Sequence, residues 1–360
     1  MLVKLTIFAF LLSFLFCFSI VRFFITNKRV QNIAADSNIG PQKFHDRLTP
    51  RIGGLGIFLS SFLIYLALFD IQKDKDIIFF LLASIPAFLS GFIEDLTKRV
   101  SPEVRLISTI LSAVLGMWLL GATLHRVDVP FVDNFLSIEI LAYLFTLIAV
   151  SGVANSINIV DGYNGLAAIV TMLILLGIAY VSHKVHDNLV LYISLILSGS
   201  VAGFFLLNYP FGKIFLGDGG AYFIGFSIAE LSILLVDRHP DVSAWFPMLL
   251  VIYPVFETLF SMYRRRLKKR SAQKPDSFHL HQLIYDRVVP HFYDIKRDEK
   301  LARNSATSPF LWFLCSMSVL PAVMFWQNTL ILMLFSVLFC IFYVWFYLAI
   351  VRFKIGTILG

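Results

Sequence analysis

The chain has 360 residues, 58% of them hydrophobic and only 15% charged, with a mean hydropathy of +0.80. Soluble domains carry roughly 25% charged residues, so a water-soluble globular class is excluded. The formal charge of +7 then bears on membrane topology rather than on nucleic acid.

Apolar stretches of about 17–25 residues can cross hydrocarbon as helices. Taken in chain order, the sequence predicts them at about 5–24, 53–70, 77–93, 106–122, 136–155, 163–183, 188–207, 220–236, 244–263, 309–327 and 329–351. The fold class expected is therefore all-α, a polytopic membrane protein of ten or eleven transmembrane helices. The first stretch lacks an Ala-x-Ala-like cleavage site and is read as a retained helix. Cys17, Cys315 and Cys340 all fall inside apolar stretches, which leaves no disulfide framework or zinc site. The whole of 1–360 reads as a single transmembrane catalytic domain. Its cytoplasmic loops are expected at about 25–52, 94–105, 156–162, 208–219 and 264–308.

Lys and Arg set the orientation of such a chain. Loops after the odd-numbered helices hold most of them, including Lys28, Arg29, Lys98, Arg99 and the run Arg264-Arg-Arg-Leu-Lys-Lys-Arg270. The opposite side holds Lys4, Lys73, Lys75, Arg126, Lys184 and Arg238. The N-terminus is accordingly predicted outside, with the C-terminus in the cytoplasm. Every polar cluster, among them Lys43/His45/Arg51, Glu94-Asp95, Asn155–Asn164, Asn208–Asp218 and Arg264–His281, follows an odd-numbered helix. All are expected on the cytoplasmic face. The outer loops are short and show no comparable constellation.

Amides and carboxylates at membrane depth are costly and usually serve a cavity. Asn155-Ser-Ile-Asn158-Ile-Val-Asp161-Gly-Tyr-Asn164-Gly165 and Phe215-Leu-Gly217-Asp218-Gly-Gly220 are two such islands. Magnesium takes a few carboxylate oxygens and keeps its remaining positions for water and phosphate. Asp161 and Asp218 are the candidate metal ligands, and Glu94 and Asp95 join them as candidate catalytic acids. The residues after Asp218 open a helix whose N-terminal amides favour phosphate. Asn155 and Asn158, at i,i+3 spacing, lie beside the acids. The bland alternative makes these acids and glycines ordinary helix caps. For the basic run, topology and contact with anionic lipid are sufficient reasons. The alternating pair His279-Leu-His281 suits contact with a diphosphate.

Together Gly91-Phe-Ile-Glu94-Asp95, Asn155-x-x-Asn158-x-x-Asp161-Gly-x-Asn164-Gly, Phe215-Leu-Gly217-Asp218-Gly and His279-x-His281 resemble the polyprenyl-phosphate N-acetylhexosamine-1-phosphate transferases of bacterial envelope glycan synthesis. The undecaprenyl-phosphate N-acetylglucosaminyl-1-phosphate transferase branch, in glycosyltransferase family 4, is the more similar one. The resemblance implies a multi-pass protein of the bacterial inner (cytoplasmic) membrane. It would transfer N-acetylhexosamine 1-phosphate from a UDP-N-acetylhexosamine such as UDP-GlcNAc to undecaprenyl phosphate, releasing UMP, for O-antigen (lipopolysaccharide) or related cell-wall glycans. It implies Mg²⁺, with Mn²⁺ as a substitute, inner-membrane lipid as a partner, no nucleic acid, and leaves room for a homodimer. By position, Asp218 would hold the metal and Asp95 would activate or position the lipid phosphate. Asn158 and Asp161 would contact the nucleotide sugar, Phe215 the uracil, and His279 and His281 the diphosphate. Lys43, Asn155, Asn164 and Asn208 complete the expected substrate contacts. Glu94, Asn164 and Gln282 depart from residues common in the family. The competing reading is a secondary transporter of an anionic metabolite, although no inverted repeat with midplane polar breaks is visible.

Overall fold

The computed structural model describes residues 1–27, 48–267, 278–293 and 299–356. It is all-helical. The long helices are α1 (Leu2–Thr26), α2 (Gly53–Gln72), α3 (Lys75–Thr97) and α4 (Pro102–Leu120). After a short α5 (Pro130–Leu136) come α6 (Glu139–Val160), α7 (Leu166–Lys184), α8 (Asn188–Asn208) and α9 (Gly217–Arg238). Two short helices, α10 (Trp245–Leu250) and α11 (Ile252–Leu267), precede α12 (Leu280–Leu283), a π-helical turn (Ile284–Val288) and α13 (Val289–Phe292). The chain closes with α14 (Lys300–Met324) and α15 (Thr329–Gly356). Among the described residues, 10 helices are long and apolar enough to cross a membrane.

Local chemistry fixes several boundaries. Asp74, Ser101 and Asp187 cap α3, α4 and α8 by accepting from Asp76 N, Val104 N and Val190 N. Pro102 starts α4 where a missing N–H costs nothing. The predicted span 244–263 is the exception, because it is broken at Val251 into α10 and α11. Pro254 has no N–H with which to bond the Leu250 carbonyl, so the helical ladder is interrupted there. The broken segment still joins the two ends of the bundle. Ser243 N donates to Trp326 O near its start, whereas Glu257 meets the His279 loop at the other end.

Helix α9 is the hub. Every residue from Gly217 to Val236 is buried. In lipid, burying apolar area gives little drive between helices, and close packing takes over. Phe58 of α2 stacks on Phe88 of α3 with centroids 3.9 Å apart, and Phe223 of α9 meets Phe58 edge-on at 5.1 Å. This wedge registers three helices just below their polar ends. At the opposite pole Arg126 donates to the carbonyls of Val236 and Val242, and Asp128 accepts from Ser243 Oγ and Ala244 N. The loops at this pole are thus tied together by a polar strap that no local motif announces. Its groups bond to the protein itself.

Candidate active site

Four separate elements converge on Asp218. The short segment after residue 48 runs beside residues 214–216: Phe215 N donates to Pro50 O at 2.9 Å and Gly53 N to Phe215 O at 2.9 Å. That pairing sets Arg51 over the start of α9, with Nη2 3.3 Å from Asp218 Oδ1. Arg105, on the first turn of α4, donates to Asp218 Oδ2. Asn158, near the end of α6, donates from Nδ2 to Asp218 Oδ1 at 3.0 Å. One carboxylate therefore takes two guanidinium groups and an amide at a helix N-terminus, a surrounding that favours anions.

Asp95 lies directly behind. Its Oδ1 accepts from Asp218 N at 2.8 Å and its Oδ2 from Gly219 N at 2.9 Å. A buried carboxylate on α3 thus caps the N-terminus of α9. The approach is close because Gly91 lacks a side chain. A Cβ there would stand 2.5 Å from Asp218 C and Gly219 N, both backbone atoms that cannot step aside. Gly217 takes φ +77°, and a side chain on it would press on the Arg51 carbonyl. Gly91→Ala is expected to cost about 1–3 kcal/mol through overpacking. Thermal unfolding in detergent would read this as a lowered midpoint against the parent chain.

Asp161 caps the end of α6, partly open to solvent. Burial pushes its carboxyl up to about 7, with the charge of Asp218 adding to the rise, while Arg51 and the Gly217 amide pull it down. The Arg51 that pairs with Asp218 thus also acts on Asp161. Among the described residues no group of three or more His, Cys, Asp or Glu gathers as a ready metal cage. The donors that Asp218 and Asp161 offer are carboxylate oxygens, which fit a hard cation such as Mg²⁺ and suit zinc poorly.

The other expected site residues divide. Asn155 Oδ1 accepts from Tyr222 Oη at 3.4 Å, and the Arg105 guanidinium sits 5.8 Å from the Tyr222 ring centroid, so Asn155 borders the cluster. Phe215 contributes its backbone to the pairing that carries Arg51. Glu94 is not brought to Asp218; it accepts from Val100 N at 2.7 Å and closes the turn after α3. Asn164 and Asn208 are buried in the scaffold. Asn164 N donates to Asn304 Oδ1 at 2.8 Å, and Ser308 Oγ donates to Asn164 O at 2.6 Å. Asn208 accepts from Gly165 N and donates to Ile214 O at 2.7 Å. The Asn164 side chain itself donates from Nδ2 to Pro210 O at 3.4 Å and Ser305 Oγ at 3.3 Å, donations an ionised acid could not make, so an asparagine suits position 164. Lys43 lies outside the described residues.

His279 and His281 approach the Asp161 loop. His281 packs edge-on against Tyr163 at 5.5 Å, with its Nε2 next to Gly162. Gln282 Oε1 accepts from His279 N at 3.0 Å, so that residue caps α12. Sequence reasoning missed Arg105 as a site residue, and it missed Glu257 of α11, which contacts both histidines. A lone acid inside an apolar stretch was the available signal for Glu257.

A many-helix membrane body that gathers carboxylates, guanidinium groups and helix-terminal amides at one pole defines a membrane-embedded enzyme handling phosphate groups. Residues 77–236 match the model of glycosyl transferase family 4. A probable undecaprenyl-phosphate N-acetylglucosaminyl 1-phosphate transferase of Bacillus subtilis is 30% identical over 244 residues, 68% of this chain and 67% of that protein. An undecaprenyl-phosphate alpha-N-acetylglucosaminyl 1-phosphate transferase of Thermotoga maritima is 27% identical, covering 69% of this chain and 72% of its own length. A phospho-N-acetylmuramoyl-pentapeptide-transferase of Streptococcus sanguinis is 30% identical over 58% of this chain and 65% of its own length. The chain belongs to glycosyl transferase family 4 and is a transferase.

Proposed function

We propose that this enzyme transfers N-acetylhexosamine 1-phosphate from a UDP-sugar to undecaprenyl phosphate, at the cytoplasmic face of a bacterial inner membrane. The observation that carries the reading is Asp218 held by Arg51, Arg105 and Asn158 over a helix N-terminus that Asp95 caps from behind. A lipid phosphate and a nucleotide diphosphate both bring negative charge, and guanidinium groups with helix amides match it. The Bacillus subtilis and Thermotoga maritima relatives act on undecaprenyl phosphate by name, which supports the acceptor. The distribution of Lys and Arg supports a cytoplasmic site and an outer N-terminus.

A lipid phosphate oxygen attacks the phosphorus that carries the sugar. The bond from that phosphorus to the bridging oxygen breaks, and the oxygen leaves with UMP. Such transfer rests on alignment and charge neutralisation rather than covalent help from the protein. Arg51 and Arg105 neutralise the phosphoryl oxygens, and Asn158 orients Asp218. Asp95 fixes the helix end that carries Asp218. Asp218 and Asp161 would hold Mg²⁺, which supplies further neutralisation of phosphate charge when bound. A lipid phosphate is already ionised at neutral pH, so attack does not require a carboxylate base. An N-acetylglucosamine donor and a role in O-antigen or related envelope glycans are the finer form of the proposal.

Purified protein in detergent is expected to release UMP only when both UDP-N-acetylglucosamine and undecaprenyl phosphate are present. Chelation should abolish the release and added Mg²⁺ restore it. Release that persists unchanged after exhaustive chelation would remove the metal. UMP release that ignores the lipid phosphate would remove the acceptor.

A further inference from the structure

Glu257 sits on α11 just after the break at Val251, and its side chain is only 1% exposed. A buried carboxylate needs its lone pairs occupied and its charge balanced. Glu257 Oε2 accepts from Tyr343 Oη of α15 at 2.7 Å, and Oε1 accepts from Leu280 N at 2.8 Å. The same Oε1 lies 3.3 Å from His279 Nδ1 and 3.9 Å from His281 Nδ1. The two imidazoles are parallel, with centroids 5.1 Å apart and planes 3° apart.

A carboxylate facing one ring nitrogen selects the tautomer that carries a proton there, and leaves the other nitrogen for the ligand. His279 Nδ1 is within hydrogen-bond reach of Oε1, whereas His281 Nδ1 faces the same oxygen at 3.9 Å, an ion-pair distance, so both Nε2 atoms lie on the side away from Glu257. His281 Nε2 accordingly lies beside Gly162 of the Asp161 loop, 3.3 Å from where a Cβ on that glycine would stand. Tyr343 and Leu280 N fix the carboxylate itself. An apolar residue at position 257 would satisfy the span equally well in lipid, yet would remove the acceptor that faces both Nδ1 atoms.

We infer that Glu257 is a positioning residue, holding His279 and His281 as a parallel pair whose Nε2 atoms meet the diphosphate of the nucleotide sugar. The inference rests on the reaction proposed above. It places the specificity for the donor's diphosphate partly in a carboxylate that never touches it.

The test uses the full chain in detergent with ring-¹⁵N-labelled histidine. Glu257→Gln is expected to move the His279 and His281 ring nitrogen signals and to raise KM for the UDP-sugar about tenfold or more. KM for undecaprenyl phosphate should stay within about twofold, because an orienting loss confined to the donor leaves acceptor binding intact. Glu257→Asp, which keeps the charge, should fall between the two. Tyr343→Phe leaves the carboxylate in place and should move the same signals less; it serves as the second variant if Glu257→Gln does not fold. Unchanged ring signals, or equal losses for both substrates, would overturn the inference. A parent chain that binds nucleotide sugar yet never releases UMP would instead refute the proposed reaction, while the ring spectra would still decide the role of Glu257.

Discussion

Asp218→Asn should fold and insert normally yet lose turnover by about a thousandfold or more, the scale on which charge neutralisation matters in phosphoryl transfer. The substitution keeps size and leaves an oxygen to accept from Arg105 or Arg51. It removes the single charge that joins three polar side chains over the start of α9. Both guanidinium groups would then lose the charge of Asp218, and their positions would relax. UMP release measures the loss, and an unfolding midpoint close to that of the parent shows that it is not global. Near-normal release would take Asp218 out of the reaction.

Asp95→Asn should cost both activity and stability. Both oxygens of Asp95 already accept from backbone amides, so an amide nitrogen in place of one of them would face Asp218 N or Gly219 N without an acceptor. An unsatisfied buried group costs about 1–3 kcal/mol. The start of α9 would shift, and Asp218 with it, so UMP release is expected to drop at least about a hundredfold for a misplacement of this kind. The contrast is diagnostic. Asp218→Asn changes turnover at constant stability, whereas Asp95→Asn lowers the unfolding midpoint and turnover together. Loss of turnover at Asp95 with full stability would mean that its carboxylate meets the lipid phosphate directly.

The particular residues show how far a sequence reading reaches. The island Asn155–Asp161 and the Gly217–Gly220 turn were recognisable because polar groups between apolar stretches are expensive. Their exact placement was not. The stretches 156–162 and 208–219 read as loops, but Asn158 lies within α6 and Asp218 lies within α9. Glu94 and Asn164 looked equivalent to their neighbours in a linear motif. A helix turns each residue about 100° from the last, so Asp95 faces α9 while Glu94 turns towards Val100. Asn164 likewise meets α14 rather than the cluster. The break at Val251 was concealed by hydropathy, which averages over a window and does not register the missing N–H of Pro254.

By itself the sequence determined the solvent, the succession of spans and the family, because each is a property of contiguous residues: lipid requires every span to satisfy its own backbone, and motifs keep their order. Only the tertiary structure decided that Asp218 is grasped by Arg51 and Arg105, 167 and 113 positions away. It also brought Glu257 of α11 against His279 and His281. Those partnerships depend on how helices are rotated and how closely glycine lets them approach, and no local pattern encodes either.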